Sequence, residues 1–318
     1  MHIKLITPAP PDTLNGNRVT AMRWARMLRQ LGHRLVIEQH YNGGSCDLMI
    51  ALHALRSFDS IHRFREQRPK APLIVVLTGT DLYRDIRTNP NAQQSLKLAT
   101  RLVVLQSMGL EELPRQHHPI TRVIYQSAEP ANGGEFHTGN GFKVCVIGHL
   151  RLEKDPLRTA MAVRHLPTSS RLQVSHIGRA LSHHLKKRIL AEVSRNPRYR
   201  WLGGLPHWRT RKILAGSHLM ALTSRIEGSS NVLSEALASS VPIVASRIPG
   251  LVGTLGKDYP GYFSVGNTHE LTWLLRRVET DRKFYKQLKT SCARLRRLVT
   301  PERELACWKR LLSEVSKQ

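Results

Sequence analysis

The run Ser224-Arg225-Ile226-Glu227-Gly228-Ser229-Ser230-Asn231-Val232-Leu233-Ser234-Glu235-Ala236 decides how this chain reads. It follows a short apolar stretch at 219–222 and runs into an apolar helical pattern, which makes it a strand, a loop and a helix in succession. Two glutamates stand eight positions apart with small residues between them. Small residues let backbone N–H groups at a helix N-terminus come close to an anion. Glu235 is expected about two turns into that helix. A carboxylate there can accept both hydroxyls of a ribose diol, and Glu227, in the loop, can hold the hydroxyls of a second sugar.

Working outward, short apolar runs alternate with helical patterns along the whole chain. Strands are expected at 3–6, 35–37, 48–52, 73–77, 102–105 and 123–125, then at 143–147, 172–177, 199–202, 219–222 and 242–245. A helix is expected at 18–31, with Val19, Met22, Ala25, Leu28 and Leu31 on one face and Gly32 as its stop. Such alternation predicts parallel sheets covered by helices on both sides. The stretch 129–141 (EPANGGEFHTGNG) is poor in apolar residues and rich in Gly and Asn, as linkers are. The expected organisation is an α/β fold of two doubly wound, Rossmann-like domains facing across a cleft. They are 1–130 and 142–300. The linker is 131–141, and a terminal helix at 301–318 packs back at the junction.

Composition narrows the function. The chain has 318 residues and a formal net charge of +26, from 49 Lys and Arg against 23 Asp and Glu. A field of that sign attracts nucleotides, phosphate, nucleic acid or acidic lipid. Basic residues concentrate at 179–212 and 276–310. Neither segment carries the interleaved aromatics of a single-strand binding groove, so nucleic acid is not the expected partner. Membrane insertion is not expected either, since every apolar run is strand-sized. Cys46, Cys145, Cys292 and Cys307 form no Cys-x-x-Cys pair. With an N-terminus that reads as a strand, this points to reduced thiols in a cytoplasmic protein.

Two more stretches carry chemistry. In Ile147-Gly148-His149-Leu150-Arg151-Leu152-Glu153-Lys154-Asp155-Pro156, Asp155 reads as an N-cap and Pro156 as a first helical residue. Lys154 would then sit at a helix start and help to neutralise a departing diphosphate. In the first half, Gly16, Asn17 and Arg18 follow the first strand and can present N–H groups and a cation to an anion. His53 ends the third strand, and Thr80 and Arg84 follow the fourth. With Arg18, the latter two can form a pocket for phosphate-like oxygens. There is no Gly-Lys-Ser/Thr loop, no Gly-x-Ser-x-Gly elbow and no Asp-x-Asp pair. No metal or other cofactor is therefore expected, and cations and helix dipoles take that role.

The 224–236 run resembles the E-x7-E motif of family 4 of the glycosyltransferases, which have the GT-B fold. The resemblance implies that Glu235 binds the nucleotide ribose and Glu227 the donor sugar. It sets Gly228, Ser229, Ser230 and Asn231 beside the diphosphate. Lys154 matches that family's diphosphate lysine. Its usual arginine is His149 here, with Arg151 two residues on. His53 roughly matches a histidine used near the anomeric carbon, which makes Glu227, His53 and Lys154 the implied catalytic set. Gly16, Asn17, Arg18, Thr80 and Arg84 fall on the acceptor side.

A narrower resemblance extends from the first strand to about residue 306. It rests on Thr7-Pro8-Ala9-Pro10-Pro11 with Gly16-Asn17-Arg18-Val19-Thr20-Ala21, on Ala51-Leu52-His53-Ala54, and on Leu77-Thr78-Gly79-Thr80-Asp81-Leu82-Tyr83-Arg84-Asp85. It continues through Val123-Ile124-Tyr125-Gln126-Ser127-Ala128, Gly148-His149-Leu150-Arg151 and Asp258-Tyr259-Pro260-Gly261-Tyr262. These are similar to the selenosugar synthases of selenoneine biosynthesis. That group implies a UDP-sugar donor, usually UDP-N-acetylglucosamine, and selenophosphate as the acceptor. Selenium in that acceptor is already an anionic nucleophile and needs no general base. The alternative expectation is an ordinary UDP- or GDP-sugar transferase acting on a hydroxyl of a lipid or small metabolite.

Overall fold

A computed structural model of the chain describes residues 1–11, 15–131 and 141–316. They form two compact units. One comprises Met1–Gln126, Glu227–Asn231 and Pro301–Gln318; the other comprises Ser127–Ile226 and Val232–Thr300. The expected linker at 131–141 falls almost wholly outside the described residues.

The first unit is built on β1 (His2–Ile6), β2 (Arg34–Glu38), β3 (Leu48–Leu52), β4 (Leu73–Leu77), β5 (Arg101–Val104) and β6 (Thr121–Val123). Their order is β2-β1-β3-β4-β5-β6 and every pairing is parallel. β3 and β4 are buried along their whole length. That is why they read as unbroken apolar runs, LMIAL and LIVVL, without alternation: helices cover both faces of a parallel sheet. Strand order reverses between β1 and β3, so the C-terminal ends of these strands flank a switch point, where such sheets take their ligands.

The second unit holds β7 (Phe142–Ile147), β8 (Leu172–Ile177), β9 (Tyr199–Trp201), β10 (Leu219–Leu222), β11 (Ile243–Ser246) and β12 (Tyr262–Phe263). The order is β12-β11-β10-β7-β8-β9, again all parallel. Its switch point lies between β7 and β10. β12 has two residues and no periodicity to betray it. β6 ends at Val123, earlier than expected, and beyond it the Ile124 N–H reaches back to the Val104 carbonyl.

The first helix runs Gly16–Gln30, two residues ahead of the expected start, because the Asn15 side chain accepts the Arg18 N–H at 3.1 Å and caps it. The terminal helix Pro301–Val315 belongs to the first unit. Its Trp308 is fully buried and meets Trp24 edge-on, ring centroids 4.8 Å apart. No helix among the described residues is long and apolar enough to cross a membrane.

Candidate active site

In the second unit, the chain leaving β7 carries His149, Arg151 and Lys154. The expected helix start at Asp155 and Pro156 is not what forms. Leu152–Lys154 is a single 3-10 turn, Asp155 takes a left-handed φ of 43°, and the helix begins at Arg158. Asp155 instead accepts the Arg158 guanidinium at 2.9 Å and faces Arg225 at 3.5 Å. Lys154 is thus the last residue of a tight turn and not the first of a helix. Its stem runs over Gly148, where an added Cβ would come within 3.8 Å of it. Thr223, just past β10, donates to the carbonyls of Lys154 and Asp155 at 2.9 and 3.0 Å, and Arg225 N–H donates to that of Glu153. The end of β10 therefore fixes the turn that carries the lysine.

His149 is fixed from the other side. Its Nδ1 accepts the Arg179 N–H at 3.1 Å, which leaves Nε2 as the protonated nitrogen of the neutral ring. A donor at that place can serve a phosphate oxygen without a full charge. Arg151 is exposed. Beneath this loop His176 is wholly buried: it takes the Tyr199 hydroxyl on Nδ1 at 2.6 Å and faces the Gly148 carbonyl with Nε2 at 3.2 Å. Burial pushes its pKa down to about 4, so the ring is neutral and its Nε2–H holds the loop from below. The approach here is tight, since a Cβ on Gly178 would lie 1.8 Å from the Gly148 oxygen.

Glu235 stands in the helix Asn231–Ala238 as its fifth residue, little more than one turn in and not two. It is 8% exposed. Its carboxylate accepts a hydrogen bond from His207 Nε2 at 2.8 Å. His207 opens the helix His207–Ala215 directly after Pro206. A cavity of about 480 Å³ lies beside the 3-10 turn, lined by Asp155, Arg158, Met161, Arg188 and Arg225 among others. Neither Lys154 nor Glu235 lines it, so the candidate chemistry is not housed there.

In the first unit, Gly16, Asn17 and Arg18 form the first turn of their capped helix, whose leading N–H groups have no intrahelical acceptor. Asn231 reaches this helix: its amide donates toward the Gly16 carbonyl at 3.4 Å and its oxygen accepts from Arg23 at 2.8 Å. Gly228 lies backbone-to-backbone on Thr78 and Gly79. Its carbonyl accepts from the amide of Gln106, which also donates to the Tyr83 hydroxyl at 2.7 Å. Glu227 is 9% exposed. Burial pushes the Tyr83 phenol far up, with smaller contributions from the charges of Glu112 and Glu227, so that hydroxyl keeps its proton. Ser229 is half-buried and Ser230 buried.

His53, also buried, has a left-handed φ of 75°, a backbone strain that side chains other than glycine rarely tolerate outside functional sites. Its Nδ1 accepts the Arg56 N–H, so Nε2 carries the proton and points to the Thr80 hydroxyl at 3.0 Å. Asp81 ties this corner together by accepting N–H groups of Ala54, Thr78 and Gly79. It opens a π-helical turn, Asp81–Asp85, of a kind concentrated at functional sites. Arg84 turns its guanidinium onto Asp85 at 2.9 Å.

Residues 133–293, just over half of the chain, match the family described as glycosyl transferases group 1. The chain belongs to that family. The glycosyltransferase is similar in fold to HepE from Anabaena, solved in complex with UDP-glucose. The two are 15% identical over the whole of both chains, with a TM-score of 0.78. A sucrose-phosphate synthase from Thermosynechococcus elongatus is 14% identical over 99% of each chain, with a TM-score of 0.82. The pneumococcal O-GlcNAc transferase GtfA, solved with UDP and GlcNAc, is 17% identical over 97% of this chain and 62% of its own, at 0.66. The two parallel sheets of the glycosyltransferase are those of the GT-B fold.

Several residues built into these sites escaped the sequence reading. His207 is the first helical residue, directly after Pro206, a position at which a polar side chain could have been singled out. Tyr83 lay inside a stretch already singled out. Gln106, Arg23 and His176 gave no local signal, because their partners lie tens to hundreds of residues away in the chain.

Proposed function

We propose that this glycosyltransferase moves a sugar, N-acetylglucosamine being the expected one, from a UDP-sugar to selenophosphate. The observation that carries the donor half is the second unit's arrangement: Glu235 on its helix, and Lys154 and His149 held on the loop after β7 by Thr223 and Arg179. Glu235 accepts the ribose hydroxyls, and Lys154 with the His149 Nε2–H stabilises the departing diphosphate, electrostatic groups fixed before the reaction begins. The family resemblance assigns Gly228, Ser229, Ser230 and Arg151 to the same diphosphate. Glu227 holds the donor sugar.

The acceptor half rests on the narrower sequence resemblance. Gly16, Asn17, Arg18, Thr80 and Arg84 supply N–H groups and cations to a small, highly charged anion, with His53 near the reacting carbon. Selenium attacks C1 of the sugar, the C1–O bond breaks, and its electron pair leaves on the β-phosphate of UDP. Water then cleaves the selenium–phosphorus bond, giving phosphate and a sugar with selenium on C1. No step calls on a metal ion or cofactor.

The test is UDP release from UDP-N-acetylglucosamine by the purified protein. Release that requires selenophosphate and persists in EDTA is expected. Release that stops on chelation, or that needs a hydroxyl acceptor and ignores selenophosphate, would sink this reading; the second result would point to a conventional transferase to a lipid or small metabolite.

A further inference from the structure

We infer that His207 is a positioning residue for the nucleotide: its ring N–H fixes the Glu235 carboxylate in the orientation that receives the ribose diol. The inference rests on the reading of Glu235 as the ribose acceptor. The carboxylate of Glu235 rises from a helix whose Leu233, Ala236 and Leu237 are completely buried. Its last torsion is a broad one, since an sp³–sp² bond has no deep staggered wells. Among the described residues its only side-chain partner is His207, at 2.8 Å.

That one bond has three consequences. It satisfies one of about four lone-pair sites on a desolvated carboxylate and leaves three for two ribose hydroxyls. It holds Oε1 in place, so the rotational freedom that a diol would otherwise have to freeze is already lost before binding. It also ties the start of the helix His207–Ala215 to the helix Asn231–Ala238. His207 can do this without being part of the core, because its side chain is 55% exposed. Removing it opens no cavity, and a loss of binding in its absence would not be a loss of folding.

The experiment is a calorimetric titration with UDP alone, paired with steady-state kinetics in the donor. His207→Ala is expected to raise the UDP Kd and the donor KM together by roughly tenfold, with kcat within about twofold of wild type. His207→Gln, whose amide can donate to the same oxygen, is expected to recover most of that loss. In a Glu235→Gln background, His207→Ala should add little, because the carboxylate it orients is gone. If His207→Ala binds UDP like wild type while Glu235→Gln does not, the inference falls and the ribose assignment stands. If His207→Gln is as weak as His207→Ala, or if the loss lies in kcat, the inference also falls. If Glu235→Gln itself leaves UDP binding unchanged, it is the ribose assignment that falls.

Discussion

The backbone of Gly228 rests on that of Thr78 so closely that a Cβ on Gly228 would lie 2.2 Å from the Thr78 carbonyl oxygen. The neighbouring Gly79 N would be 2.6 Å away, and neither atom belongs to a side chain that could swing clear. Gly228→Ala therefore forces the loop after Glu227 off the end of β4. It also pulls the Gly228 carbonyl from Gln106, to which it is bonded at 3.2 Å. Overpacking of this kind costs about 1–3 kcal/mol. The expected outcome is a protein with a lowered melting temperature and a turnover reduced well beyond what that destabilisation explains. A variant that melts and turns over like wild type would show that the close approach has no part in the active state.

Glu235 and Glu227 should fail differently. Glu235 is set to bind the ribose, an interaction the substrate and the transition state share, and its loss should raise KM more than it lowers kcat. Glu227 acts on the sugar being transferred, so Glu227→Ala should lower kcat with the correct sugar while leaving the UDP Kd within a few-fold of wild type. Titration with UDP and steady-state kinetics on both variants separate the two roles. Equal effects of both substitutions on KM alone would contradict the assignment.

How much of this was legible in the sequence follows from how local each signal is. Both sheets were readable because β3, β4, β10 and β11 are buried strands that spell themselves out in consecutive residues. The acid–glycine–serine run was readable for the same reason: Glu227 through Glu235 are covalent neighbours. What the sequence hid are partners set by tertiary structure. Asp155 looks like a helix cap because its local neighbours favour one, yet Arg158 and Arg225 draw its carboxylate to themselves and the backbone turns left-handed. The small-residue run stays a loop up to Ser230, so the helix starts at Asn231 and Glu235 lies a turn shallower than its local sequence suggests; the Asn231 side chain meets Arg23, two hundred residues earlier.

Arg23 is itself held from the far end of the chain. Glu304, in the helix Pro301–Val315, is 1% exposed and accepts from Trp24 Nε1 at 2.6 Å while pairing with Arg23 at 3.1 Å. Removing the carboxylate leaves the buried Trp24 indole N–H without its acceptor and the largely buried Arg23 guanidinium without its counter-charge, a loss on the order of 3 kcal/mol. Glu304→Ala should lower the melting temperature by several degrees. It should also weaken UDP-sugar turnover by loosening Arg23 and, through it, Asn231. Glu304→Gln keeps an acceptor for Trp24 and should lie between. Differential scanning calorimetry on the three proteins checks the order, and an alanine variant as stable as wild type would contradict it.

The loop that carries His149 should also report on pH through His176. That ring is wholly buried and neutral, with a pKa pushed down to about 4 by desolvation, against 6.5 for an exposed histidine. Between those values the unfolded chain binds a proton that the native protein does not. Stability is therefore fully present above about pH 6.5 and is lost as the pH falls toward 4. The full span corresponds to about 3 kcal/mol at most. Other carboxylates and histidines titrate over the same range, so the diagnostic quantity is a difference. Urea unfolding of wild type and His176→Gln at intervals from pH 7 to 4.5 should give curves that converge on acidification, the wild type losing stability faster. Curves that stay parallel would mean that the native ring binds its proton as readily as the unfolded chain does, and that burial does not hold it neutral.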